Sequence, residues 1–175
     1  GGSLASLSDL LRFVPAVDNL TLVMLLAITV FGFSALMVAR YSIPDAERLF
    51  NFSNLVILAF AGMNGVVLAD DLFSLYVFLE ITAVSSFILI AFNGDRDAFE
   101  GTFKYIILSA AATAMILAAI ALLFIVVGGV SFESIRVAMS EPGGRDPLLV
   151  AALILLTAGL FIKGGLVPFH GWLPD

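Results

Sequence analysis

Cysteine is absent from the 175 residues, and histidine occurs once, as His170. Without thiols the chain cannot close a disulfide, hold zinc through sulfur or ligate an iron–sulfur cluster. One imidazole cannot fill both axial positions of a bis-histidine haem. No cofactor is therefore expected in this chain, and any electron transfer must run elsewhere. Charge is scarce as well: 13% of residues are Asp, Glu, Lys or Arg, against about 25% in an ordinary soluble domain. With a formal net charge of −6 there is no basic field for phosphates, which excludes nucleic-acid binding. At 61% hydrophobic and a mean hydropathy of +1.12, the sequence is neither a soluble domain nor a disordered one. It belongs in a bilayer. Gly1-Gly2-Ser3 carries neither an initiator Met nor a basic signal-peptide region, so the start reads as truncated or tag-derived.

What is present is a series of long apolar runs. A spanning helix needs about 20 mostly apolar residues to cross about 30 Å of hydrocarbon. Five runs qualify, near residues 20–39, 52–69, 72–92, 98–127 and 148–169. They are too long for strands and lack period-two alternation, so the expected fold is an all-α polytopic transmembrane bundle. Residues 1–19 form a separate N-terminal segment, in which Leu4, Leu7, Leu10, Leu11 and Val14 recur at helical spacing and suit an interfacial helix. Residues 20–175 form the bundle.

The connections are short. Asp97 followed by Glu100 resembles a capping box and predicts that the fourth helix starts near Ala98. The longest loop, 128–147, predicts a short surface helix with Phe132, Ile135 and Met139 on one face, followed by the breaker Glu141-Pro142-Gly143-Gly144. Small residues four apart, Ala110, Ala114 and Ala118 in the fourth helix and Ala61 and Gly65 in the second, predict where helices approach closely in lipid. Alternation of the spans puts Arg40, Arg48 and Arg96 at one end, which the positive-inside rule assigns to the cytoplasm.

Within the spans few ionisable groups remain: Glu80, Lys163 and Lys104. A charge at the centre of a spanning helix costs about 2.5–3.5 kcal/mol on insertion scales, and such groups mark ion or proton paths. Glu80 lies about 12 Å along the third run at 1.5 Å per residue, beyond the reach of snorkelling. Lys163 lies deep in the fifth run, directly before Gly164, Gly165 and Pro168, which should break the helix. Irregular backbone at membrane depth is tolerated only inside protein or beside a wet cavity, and an ionisable group at such a break is a transporter arrangement. An acid whose basic partner can approach or retreat is a proton switch. The bland alternatives are a static buried bond for Glu80 and snorkelling for Lys163 and Lys104. Lys104 and Lys163 are the only lysines, while every arginine sits in a loop or terminus. That partition suits lysine for titration and arginine for anchoring. His170 offers either a proton relay or an interfacial hydrogen bond beside Trp172.

Two stretches resemble a known family. Asp71-Leu72-Phe73-Ser74-Leu75-Tyr76-Val77-Phe78-Leu79-Glu80 and Lys163-Gly164-Gly165-Leu166-Val167-Pro168-Phe169-His170-Gly171-Trp172-Leu173-Pro174-Asp175 are similar to the proton-conducting antiporter-like subunits shared by Mrp-type Na⁺/H⁺ antiporters, membrane-bound hydrogenases and respiratory complex I. The Asp-Leu-Phe opening at 71–73 looks more like the Mrp-type D protein and its hydrogenase relatives than like complex I. Asp18-Asn19-Leu20 resembles the motif that opens the family's third helix. The likeness implies a partial copy of a fourteen-helix inverted-repeat fold: helices three to seven, the last broken. It also implies that Glu80 and Lys163 drive proton movement and that Lys104 is the helix-six lysine. The missing helices would come from another membrane subunit or from the rest of a longer chain. Three functions compete: an H⁺-translocating subunit with Na⁺ as a second cargo, a structural membrane scaffold with a locked pair, and a quinone site near His170.

Overall fold

The computed structural model describes residue 15 and residues 17–140 and 146–166. Six α-helices follow in order among them: α1 (Asn19–Ser42), α2 (Ala46–Leu68), α3 (Leu72–Ile90), α4 (Arg96–Val127), α5 (Phe132–Ser140) and α6 (Pro147–Lys163). A 3-10 turn, Ala91–Asn93, extends α3. α1, α2, α3 with its extension, and α4 are each long and apolar enough to cross a membrane, and α6 is a shorter apolar helix of 17 residues. The protein is an all-α polytopic membrane bundle.

Aspartate opens each of the long helices. Asp18, Asp45, Asp71, Asp95 and Asp146 are the N-caps of α1, α2, α3, α4 and α6, each accepting a hydrogen bond from a first-turn backbone N–H. The carboxylate satisfies a donor that has no intrahelical partner and faces the positive end of the helix dipole. At Asp18 the Thr21 backbone N–H, and then its hydroxyl, hold the carboxyl below the usual range. These caps move two boundaries from their expected places. α2 starts at Ala46 rather than 52 because Asp45, after Pro44, takes the first turn. α4 starts at Arg96 because Asp95, not Asp97, is the cap; it follows Gly94, which turns the chain at φ +72°.

Packing overturns the expected α4 stripe and the place of Ala61, while Gly65 packs closely as expected. Ala110, Ala114 and Ala118 are exposed, and α4 instead buries Ala112, Ile116, Ala119 and Leu123. The two stripes lie on nearly opposite sides of a helix that turns about 100° per residue. In α2 the buried glycines are Gly62 and Gly65, with Ala61 exposed. Leu72, Ile116, Ile120, Leu123, Val130, Ile135, Leu149 and Ala152 form the core cluster, at the end where α3 begins and α4 finishes. There the loops are laced together: Asp71 bridges Ser131, and the Leu72 N–H donates to the Val130 carbonyl at 3.0 Å. α5 is the expected surface helix. Of the three apolar residues expected on its face only Ile135 is buried; Phe132 and Met139 are exposed. At the opposite end, Arg48 lies 5.4 Å over the Phe92 ring and donates to the Phe92 carbonyl at 3.5 Å. The interfacial segment with Leu4, Leu7, Leu10, Leu11 and Val14, and the breaker Glu141-Pro142-Gly143-Gly144, lie outside the described residues.

Candidate functional site

Two close helix contacts aim two charged side chains at one another. On α3, Phe78 and Thr82 face α2. A Cβ on Gly62 would stand 2.9 Å from the Thr82 backbone nitrogen, and one on Gly65 would enter the Phe78 ring. Glu80, midway between them, is rotated by about 200° from Phe78 and so points away from α2 toward α4. On α6, a Cβ on Gly159 would stand 2.7 Å from the Ile116 side chain and 3.0 Å from the Ala112 carbonyl. α6 therefore lies directly against α4, and Lys163, one turn beyond Gly159, arrives beside Ser109, about one turn before Ala112.

The Lys163 ammonium and the Glu80 carboxylate form a salt bridge through Oε1. The Thr113 hydroxyl donates to the same oxygen at 2.7 Å. A second contact runs from Lys163 Nζ to the Ser109 hydroxyl oxygen at 3.4 Å. The lysine side chain is 8% exposed and the glutamate 29%. Glu80 also borders a shallow apolar groove with Leu58, Tyr76, Val77, Ile81 and Val84. In such surroundings neither charge is stable alone, because desolvation is offset only by the partner and by added hydrogen bonds.

Lys163 is the last residue of α6. The Gly165 N–H donates to the Ile162 carbonyl and the Leu166 N–H to the Phe161 carbonyl, with Gly165 at φ +61°. This is a Schellman cap, and glycine takes the left-handed position without strain. The helix thus ends where Gly164 and Gly165 were expected to end it. His170 and Pro168 lie outside the described residues.

Lys104 binds Glu100, one turn back on α4, at 3.0 Å, with the two side chains 38% and 58% exposed. Counting charges overlooked Ser109 and Thr113. The available signal was two hydroxyls one turn apart in an otherwise apolar stretch, on the face that carries Ala112 and Ile116. Among the described residues no group of three or more His, Cys, Asp or Glu is placed to hold a metal ion.

The site is thus an acid–base pair at a helix end within a polytopic membrane bundle. Residues 69–175 match the family described as NADH:quinone oxidoreductase/Mrp antiporter, TM, and the chain belongs to that family. It is 34% identical over 161 residues to NADH-quinone oxidoreductase subunit N of Desulforudis audaxviator, covering 91% of this chain and 32% of that protein. It is 31% identical over 166 residues to a Na(+)/H(+) antiporter subunit of Bacillus subtilis, covering 92% and 32%. A chain of respiratory complex I from Thermus thermophilus superposes with a TM-score of 0.74 at 30% identity, over 99% of this chain and 39% of that one. The chain thus spans about a third of the length of the curated relatives it matches. The quinone oxidoreductase and antiporter relatives lie in one range of identity.

Proposed function

We propose that this chain carries a proton switch of an ion-translocating antiporter-like subunit in an Mrp-type or complex I-like assembly. H⁺ is the moved ion and Na⁺ the second candidate. The single observation behind this reading is the Glu80–Lys163 pair, held between α3, α4 and α6 and closed at a helix end. A proton taken up by Glu80 removes the counter-charge of Lys163. The ammonium is then released and available to pass its own proton onward, and return of the carboxylate resets the pair. Energy enters from an ion gradient or from redox chemistry in other subunits. Arg40, Arg48 and Arg96 belong on the cytoplasmic side in this reading, in keeping with the positive-inside rule.

The test is a double variant, Glu80→Gln/Lys163→Met, in the intact complex. It removes both charges and leaves no orphan, so assembly should be retained while coupled transport per assembled complex is lost. A scaffold would behave oppositely: transport per complex unchanged, whatever the yield. That result would overturn the proposal.

A further inference from the structure

Most hydroxyls inside these helices satisfy themselves. Thr29, Ser34, Thr82, Ser85, Ser86, Thr102 and Thr157 each donate to the carbonyl one turn back. Thr113 departs from the pattern. Its proton crosses from α4 to α3 and ends on Glu80 Oε1 at 2.7 Å. One turn earlier on the same face, Ser109, 4% exposed, presents its oxygen to Lys163 at 3.4 Å. Two hydroxyls on one helix thus touch the two members of a charge pair supplied by two other helices.

Resting on the reading above, we propose that Thr113 and Ser109 are positioning residues of the switch. Thr113 fixes the Glu80 carboxylate as the ammonium's first station, and Ser109 is its second. With Glu80 ionised, Oε1 collects two donors, the Thr113 hydroxyl and the Lys163 ammonium. Both end on the carboxylate, and hydrogen bonds to charged groups are the strong ones. Once Glu80 holds a proton, its attraction for the ammonium disappears. The Ser109 oxygen is within reach of Nζ, and a shift of a few tenths of an ångström makes that long contact a full hydrogen bond. No bond other than O–H on Glu80 forms in this step, and the ammonium keeps its three protons. Without Ser109 the released ammonium would face Ala112, Ile116 and the α4 backbone, and its release would be costly.

Among the described residues, Tyr105 from α4 and Tyr76 from α3 itself lie within electrostatic range of Glu80. The spanning part of α2, residues 49–68, has no ionisable side chain. Lys163 is the charged group that α6 brings.

The experiment uses the full-length protein in its complex, with coupled transport measured against pH and the Glu80 carboxyl band followed by difference infrared spectroscopy. Thr113→Val should lower transport about tenfold, the worth of one hydrogen bond to a charged group, and displace the midpoint of the carboxyl band. Thr113→Ser, which keeps the hydroxyl, should restore both. Ser109→Ala should slow transport several-fold while leaving the carboxyl midpoint in place, because Ser109 does not touch Glu80. Wild-type rates and an unmoved midpoint in both variants would overturn the inference while leaving the proposed function standing. If Glu80→Gln/Lys163→Met still transports, the proposed function falls, and the infrared midpoint of Thr113→Val still decides whether Thr113 positions the carboxylate.

Discussion

The chain's two lysines sit in two ion pairs of the same chemistry and opposite surroundings. Lys104 pairs with Glu100 within one helix, at 38% and 58% exposure. Lys163 pairs with Glu80 across helices 83 residues apart in sequence, at 8% and 29% exposure. The first is a local i,i+4 contact whose partners lose little when parted. The second depends on two close helix contacts, α2 on α3 at Gly62 and Gly65 and α6 on α4 at Gly159. A buried pair of this kind is weak evidence for stability, since its attraction largely repays desolvation. Its value lies in the penalty for separation, which couples protonation of one member to the position of the other. Depth and helix packing, rather than residue type, distinguish the switch from the surface contact.

The largest expected effect breaks that contrast directly. Lys163→Met leaves the Glu80 carboxylate buried without its cation and should destabilise the protein by about 3–5 kcal/mol. Lys104→Met should cost about 0–1 kcal/mol, an exposed pair being screened by solvent. Denaturant unfolding in detergent of the two variants beside Glu80→Gln/Lys163→Met tests this. The double variant should regain most of what Lys163→Met loses, and equal losses in the two single variants would erase the distinction.

A smaller effect sharpens the part played by packing. Gly159→Ala places a methyl 2.7 Å from Ile116 and 3.0 Å from the Ala112 carbonyl, so α6 must move off α4. The cost should be about 1–3 kcal/mol, with loosening of the Lys163–Glu80 contact. Gly101→Ala, in the same α4, meets only the Ile90 side chain at 3.9 Å and should stabilise, by up to about 1 kcal/mol, through helix propensity. Thermal melts of both variants, with opposite signs, are the expected outcome.

The same distinction sets how far the sequence could be read. Apolar length located the spans, and the intramembrane charges singled out Glu80 and Lys163 because cost alone makes such residues conspicuous. Gly164-Gly165 marked the end of α6 for a reason of backbone geometry that does not depend on tertiary context. Which face of α4 packs inward was not legible. Alanines recur on both sides of that helix, and only the partner decides between Ala110-Ala114-Ala118 and Ala112-Ile116-Ala119. Thr113 and Ser109 escaped for a related reason. A helical hydroxyl normally turns back on its own carbonyl, and nothing local reveals that an acid from another helix will capture its proton. The cap of α4 was missed because Asp95 and Asp97 both satisfy the local rule, and Gly94 decides which one starts the helix.

The smallest effect concerns the rim. On α5, Arg136 donates from Nε to Glu133 Oε2 at 2.8 Å and from Nη2 to Oε1 at 2.7 Å. Both side chains are about two-thirds exposed, at 71% and 67%. The Arg136 hydrogen bonds, and then its charge, hold the Glu133 carboxyl below its ordinary range. A carboxyl depressed in the folded state binds its proton less tightly than in the unfolded chain. Its contribution is therefore fully present above the unfolded value of a glutamate and is lost as pH falls through the folded one. Acidification should lower the amide protection factors of α5 modestly, and Glu133→Gln should remove that part of the pH dependence at little cost at neutral pH. Because Ile135 is the buried anchor of this helix, α5 should stay docked throughout. If protection in α5 instead fell steeply with acid in Glu133→Gln as well, the surface pair would not be its source.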